Sequence, residues 1–127
     1  MKKRTTINEH KEKMNEVIYY IHTNLSSKLL VEDLARICSY SEFHFHRIFK
    51  EITYKSVTSY IKESRLQWAA NLLIFNKNST ITNIAHSCGF KSSATFSNEF
   101  KKYFDMTPRV WREGGYEKYK KEYPYEN

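Results

Sequence analysis

Glycine is scarce in this chain, 3 residues, and proline scarcer still, 2. That leaves little material for hairpin turns. No stretch alternates apolar with polar residues as a half-buried strand does, so a β-rich fold is excluded. The 2 cysteines, Cys38 and Cys88, lie far apart with no C-x-x-C spacing. Each ends an apolar helical pattern, which points to small buried side chains in a reducing compartment and not to a disulfide or a metal. No apolar run reaches the length of a membrane span or a signal-peptide core, so the expected location is the cytoplasm, with no membrane partner. Also missing are a nucleophile-base-carboxylate pattern, a metal-ligand set and a phosphate loop, so an enzyme is not expected and no cofactor is called for. His44 and His46 are two residues apart on a helix and diverge, which argues against a metal pair.

What is present is enough for a packed core. At 127 residues, with 40% hydrophobic and 16% aromatic, the chain fits one domain or two small subdomains. Its formal net charge is +7, with a pI of about 9.4, a sign that favours a polyanionic partner. The charge is unevenly spread. The polar, Tyr-rich tail 113–127 holds 3 Lys and 4 Glu, leaving +8 on Met1 to Arg112. The tail reads as a disordered end or a remnant linker to a lost effector domain, in preference to a short helix packed on the domain.

Helical periodicity organises the rest. After a basic arm, Met1 to Thr6, a helix from about Asn8 to Leu25 carries the stripe Met14, Val17, Ile18, Ile21 and Leu25. A short helix follows over Val31 to Cys38, with Leu30 as a poor cap. Ser41 can cap a helix running to about Thr53, whose inward stripe is Phe45, Ile48, Phe49 and Ile52. Ser56 can cap a long helix from about Val57 to Phe75, and NKNST at 76–80 is a polar turn. From Ile81 the chain reads as a short helix capped by Thr80, a turn at Gly89, a second helix with Phe96, Phe100, Tyr103 and Phe104 inward, and a new helix start at Pro108 behind Thr107. Trp68 and Trp111 are expected in core or interface. His10, His22 and His86 show no partner pattern and read as surface or cap residues.

The chain repeats itself. Leu34-Ala35, Cys38 and Tyr40 match Ile84-Ala85, Cys88 and Phe90 at a shift of 50; Phe45, Phe49, Lys50 and Ser56 match Phe96, Phe100, Lys101 and Thr107 at a shift of 51. The predicted fold is therefore all-α: two helix-turn-helix subdomains joined by a long linker helix, about seven helices. The segments are 1–55 (N-terminal helix and first unit), 56–76 (linker helix), 77–112 (second unit) and 113–127 (tail). At about 1.5 Å per residue a linker helix of some nineteen residues spans about 28 Å. A spacer of that size can set two recognition helices about one DNA turn apart, so that a monomer reads a composite site.

Outward faces supply the candidate contacts. Phe43, His46, Arg47 and Lys50 fall at i, i+3, i+4 and i+7 on the helix after Ser41. Ala94, Ser97, Asn98 and Lys101 form a small, polar and partly basic strip opposite the second unit's aromatics. Phe43 also admits a plain reading as packing against its own unit. Arg65 and Arg112 are read equally as holders of helix ends and as phosphate contacts.

The motifs Arg65-Leu66 with Ala69, GFKSSATFSNEFK at Gly89 to Lys101, and Thr107-Pro108 with Trp111-Arg112 resemble the AraC/XylS-type DNA-binding domain of bacterial transcription regulators. The resemblance covers roughly Met14 to Arg112. YSEFHFHRIFK at Tyr40 to Lys50 looks most like members in which this domain precedes an effector-binding domain; the chain is a stand-alone member or one half of something longer. The family implies that the second helix of each unit enters the major groove of double-stranded DNA. Phe43, His46 and Arg47 would meet it from the first unit, and Ser93, Ala94, Ser97 and Asn98 from the second. Phosphate contacts would come from Lys50, Lys91 and Lys101 and from the backbone amides behind Ser41 and Ser92. An activator that also contacts RNA polymerase is implied. The alternative is a protein-interaction module, contacting polymerase or another regulator, with DNA binding weakened. Three departures stand out: Ser39 where the family usually has glycine, and Tyr54 and Asp105 where glycines are frequent.

Overall fold

Buried stripes and side-chain caps decide where this chain winds and where it stops. The structure, a computed structural model, describes residues 2–124, and for residues 2–5 the backbone alone. Among them are α1 (Lys2–Thr23), α2 (Val31–Ile37), α3 (Glu42–Thr53), α4 (Val57–Phe75), α5 (Ile81–Ser87), α6 (Ser93–Phe104), α7 (Pro108–Val110) and α8 (Tyr116–Glu122), with a π-helical turn over Trp111–Gly115 before α8. No described residue is in a strand, so the all-helical expectation holds, and its seven helices are α1 to α7. No described helix is long and apolar enough to cross a membrane.

The described chain divides into two compact units, with the boundary between Lys62 and Glu63 inside α4. The first is built on Met14, Val17, Ile21, Leu34, Phe45 and Phe49, all fully buried, with Ile48 and Ile61 beside them. The Phe45 and Phe49 rings lie 5.6 Å apart, and Phe49 meets the Tyr60 ring edge-on at 5.4 Å. The second gathers Leu66, Ala69, Leu73, Ile84, Phe96, Phe100, Phe104 and Trp111. Cys38 and Cys88 are buried in their respective units. Burial pushes the Cys88 thiol up to about 12, which leaves it un-ionised and inert.

The caps fall where hydroxyls precede helices. Ser41, Ser56, Thr80, Ser92 and Thr107 each accept a backbone N–H three residues on, at 3.0 to 3.2 Å. Leu30 makes no such bond. At the start of the chain the expectation needs correcting. The arm from Lys2 onward belongs to α1, because Lys and Arg are good helix formers and neither Pro nor Gly intervenes. The same helix ends at Thr23, two residues before Leu25. There Thr23 Oγ1 donates to the Tyr19 carbonyl and Asn24 Nδ2 to the Tyr20 carbonyl, both at 2.9 Å.

Each repeat turns the same way. Ser39 N–H donates to Arg36 O and Tyr40 N–H to Ala35 O; Gly89 N–H donates to His86 O and Phe90 N–H to Ala85 O, all at 3.0 Å. The turn residue is left-handed in both, Ser39 at φ 60 and Gly89 at φ 89, and Tyr54 and Asp105 at the ends of α3 and α6 are left-handed too. Only glycine enters this region freely. Ser39→Gly is therefore expected to stabilise the first unit by about 0.5–1 kcal/mol, read as a higher denaturation midpoint; a lower one would mean that the Ser39 side chain contributes more than its strain removes.

The tail departs from the favoured reading as an end or linker: its described part carries a short packed helix, α8. Gly114 at φ 122 redirects the chain, and Gly115 leaves the room that a Cβ, 2.5 Å from Met106 Sδ and 2.8 Å from Val110 O, would fill. α8 then lays Tyr119, 7% exposed, against Phe104 and Trp111, with ring centroids 5.3 and 5.2 Å away. Trp111 is core, its indole N–H donating to the Ala70 carbonyl at 3.0 Å. Arg112 holds a helix end: Nε donates to Leu73 O at 2.9 Å and Nη2 to Asn76 O at 3.0 Å, satisfying carbonyls at the end of α4.

Candidate nucleic-acid interface

Burying one face of α3 leaves the other in water. Phe45, Ile48 and Phe49 are at most 4% exposed, which fixes the rotation of the helix and turns Phe43, His46, Arg47 and Lys50 outward. All four are exposed, and Phe43, at 81%, makes no core contact worth the name. The reading of Phe43 as packing within its own unit is thereby removed. An apolar ring, an imidazole, a guanidinium and an ammonium in one row over two turns can meet an apolar base edge, donate to acceptors and neutralise phosphate.

The corresponding face of α6 is made of shorter side chains. With Phe96, Phe100 and Phe104 inward, Ala94, Asn98 and Lys101 are exposed, and Ser93 and Ser97 are half-buried. Lys91 is exposed in the turn before it. The structure thus groups Phe43, His46, Arg47 and Lys50 on α3, and Ala94, Ser97, Asn98 and Lys101 on α6. Ser93 sits at the first turn of α6.

The two helix starts differ in charge. The Ser41 hydroxyl accepts from His44 N–H and the Ser92 hydroxyl from Thr95 N–H, both at 3.1 Å, so each is engaged in capping. Ser92 Oγ also donates to Thr95 Oγ1 at 3.0 Å. Glu42 occupies the first turn of α3, whereas no acid occupies the first turn of α6. A carboxylate at a helix N-terminus competes with an incoming phosphate for the same partial positive charge. No such competition arises at the start of α6.

Two histidines that read as surface or cap residues have partners. His10 Nδ1 is hydrogen-bonded to the Tyr40 hydroxyl, and His22 Nε2 to the Tyr60 hydroxyl at 2.9 Å. His10 lies four residues before Met14 and so at the edge of the α1 stripe, the signal that would have found it.

A family model for a helix-turn-helix domain matches residues 34–114, a span that contains both turns, α3 and α6. The transposon Tn10 TetD protein of Escherichia coli is 36% identical over 103 residues, 81% of this chain and 74% of that protein. YbfP of Bacillus subtilis, an uncharacterized HTH-type transcriptional regulator, is 35% identical over 103 residues, 81% of this chain but only 35% of that longer protein. A transcriptional regulator from Chromobacterium violaceum with an AraC-type DNA-binding domain superposes with a TM-score of 0.76 at 29% identity, over 81% of this chain and 91% of its own. Both turn-and-helix repeats fall inside the matched span, and the chain belongs to the AraC-type helix-turn-helix family of DNA-binding transcription regulators.

Proposed function

We propose that the protein reads a two-part site on double-stranded DNA as a monomer, α3 and α6 each entering a major-groove segment, and that it activates transcription there by contacting RNA polymerase. Its task is recognition in the cytoplasm, with no catalytic step. One observation carries the reading: the exposed row Phe43, His46, Arg47 and Lys50 on a helix whose opposite face is sealed in the core. Activation, polymerase contact and the monomeric state follow from the family resemblance and from two repeats in one chain.

Arg47 has the strongest base-reading chemistry, since a guanidinium can grip guanine O6 and N7 together. His46 donates or accepts beside it, and Phe43 packs on a thymine methyl or the sugar edge. On α6, Asn98 pairs with adenine, while Ser93, Ala94 and Ser97 permit close approach of the backbone. Lys50, Lys91 and Lys101 neutralise phosphates, together with the amides behind Ser41 and Ser92.

The test is selection of bound duplexes from a random pool, followed by titration of the selected site at several salt concentrations. The expected motif has two half-elements about one helical turn apart. Arg47→Ala should weaken binding to it by about 10- to 100-fold, the discrimination one bidentate base contact supplies, while weaker non-specific binding stays. Salt-dependent binding to every duplex with no enrichment would defeat this reading and leave charge as the whole of the interaction.

A further inference from the structure

The first turn is held by a device that the second turn lacks. Tyr40 stands between left-handed Ser39 and the cap Ser41, so its position sets where α3 begins. Three groups close on its ring. The His10 ring meets it at 5.6 Å between centroids and 67°, with His10 Nδ1 bonded to its hydroxyl. Lys13 Nζ sits 4.8 Å from the ring centroid. His44, in the first turn of α3, lies on it at 4.4 Å and meets the His10 ring edge-on at 5.7 Å. Burial pushes the Tyr40 phenol up, and its hydroxyl shares a hydrogen bond with His10 Nδ1. At Tyr40's place in the second repeat is Phe90, which packs on Phe96 at 5.1 Å and has no hydroxyl to donate.

The geometry points to a clasp: His10 and Lys13 of α1, acting through Tyr40 and His44, position the start of α3 and so set how sharply the first unit reads bases. His10 and Lys13 precede the family-matched span 34–114, so this part of specificity lies outside the helix-turn-helix segment proper. A left-handed serine makes the turn costlier than glycine does, and a clasp from a neighbouring helix restores a single angle where the local backbone alone favours others. His10, Lys13, Tyr40 and His44 are positioning residues in this scheme, and the bases are still met by Phe43, His46 and Arg47. The inference rests on the DNA-reading role proposed above.

The experiment uses the full chain and the selected duplex, with the first unit's half-element identified as the one whose base preference Arg47→Ala removes. Tyr40→Phe keeps the ring and its stacking but deletes the hydroxyl; His10→Ala removes the other partner. His22→Ala is the control, because it breaks a histidine–tyrosine bond of the same kind on the same helix, away from the turn. Tyr40→Phe and His10→Ala should each lower discrimination at that half-element by about five- to tenfold, the range one hydrogen bond supplies, with non-specific binding and discrimination at the other half-element unchanged. His22→Ala should leave both alone. Equal losses at the two half-elements, or losses matched by His22→Ala, would reduce the clasp to general stability and overturn it. Wild-type specificity left intact by Tyr40→Phe would overturn it too. A wild-type chain with no base preference would instead bring down the DNA-reading role itself.

Discussion

Replacing Phe100 by alanine is expected to cost the second unit about 3–5 kcal/mol. The ring is fully buried and lies at the centre of an aromatic stack, 5.6 Å from Phe96, 4.6 Å from Phe104 and 5.7 Å edge-on from Trp111. Truncation deletes the transfer energy of the ring and leaves a void that three other large side chains must line, too rigid to close it. A domain of this size holds only about 5–15 kcal/mol in all, so the variant approaches unfolding. The readout is built in: both tryptophans, Trp68 and Trp111, belong to the second unit. Their emission in a denaturant titration therefore follows that unit, and its midpoint should fall steeply while the slope is kept. An unmoved midpoint would mean that the inward face of α6 is misassigned, and with it the outward strip Ala94, Ser97, Asn98 and Lys101.

That link between stripe and strip explains what could be read before any coordinates. Helical periodicity is a local signal, and so is a hydroxyl three residues ahead of a free amide. The stripes of α1, α3 and α6 and the caps at Ser41, Ser56, Thr80 and Thr107 needed nothing more. The outward rows came with them, because fixing Phe45 and Phe49 inside leaves Phe43 and Arg47 nowhere but out. The repeat told that the pattern occurs twice. Distant partners were the illegible part. Arg112 finds carbonyls at Leu73 and Asn76, and His10 finds a tyrosine thirty residues away. Neither partner is written in local spacing, even where, as for His10 four residues before Met14, the helical stripe marks the residue itself. The left-handed turn at Ser39 was legible only as a departure from a glycine expected there, and the backbone keeps the glycine's conformation with the serine's side chain.

The tail was the least legible stretch, and it yields the other large effect. Tyr119→Ala is expected to cost the second unit about 3 kcal/mol, whereas Lys118→Ala, exposed one residue before it, should change stability by less than about 0.5 kcal/mol. In sequence Tyr119 is one tyrosine among charges, YEKYKKEY, with no second apolar residue at helical spacing except its fellow tyrosines Tyr116 and Tyr123. Amphipathicity that slight does not hold a seven-residue helix together in water. α8 is helical because Phe104 and Trp111 offer it an aromatic surface; the Tyr119 ring meets both, and Tyr123 stacks on it at 4.8 Å. Removing Tyr119 should therefore release all of α8, not one side chain, and expose Trp111, so the tryptophan emission of the native state should shift to the red before any global transition. Since Phe104 is the last residue of α6, the loosening reaches the helix that carries Asn98, and binding to the second unit's half-element should weaken with the first unit's preference intact. A Tyr119→Ala chain as stable as the parent, with unshifted emission, would mean that Phe104 and Trp111 seal the core without help, and α8 would be an ornament on it.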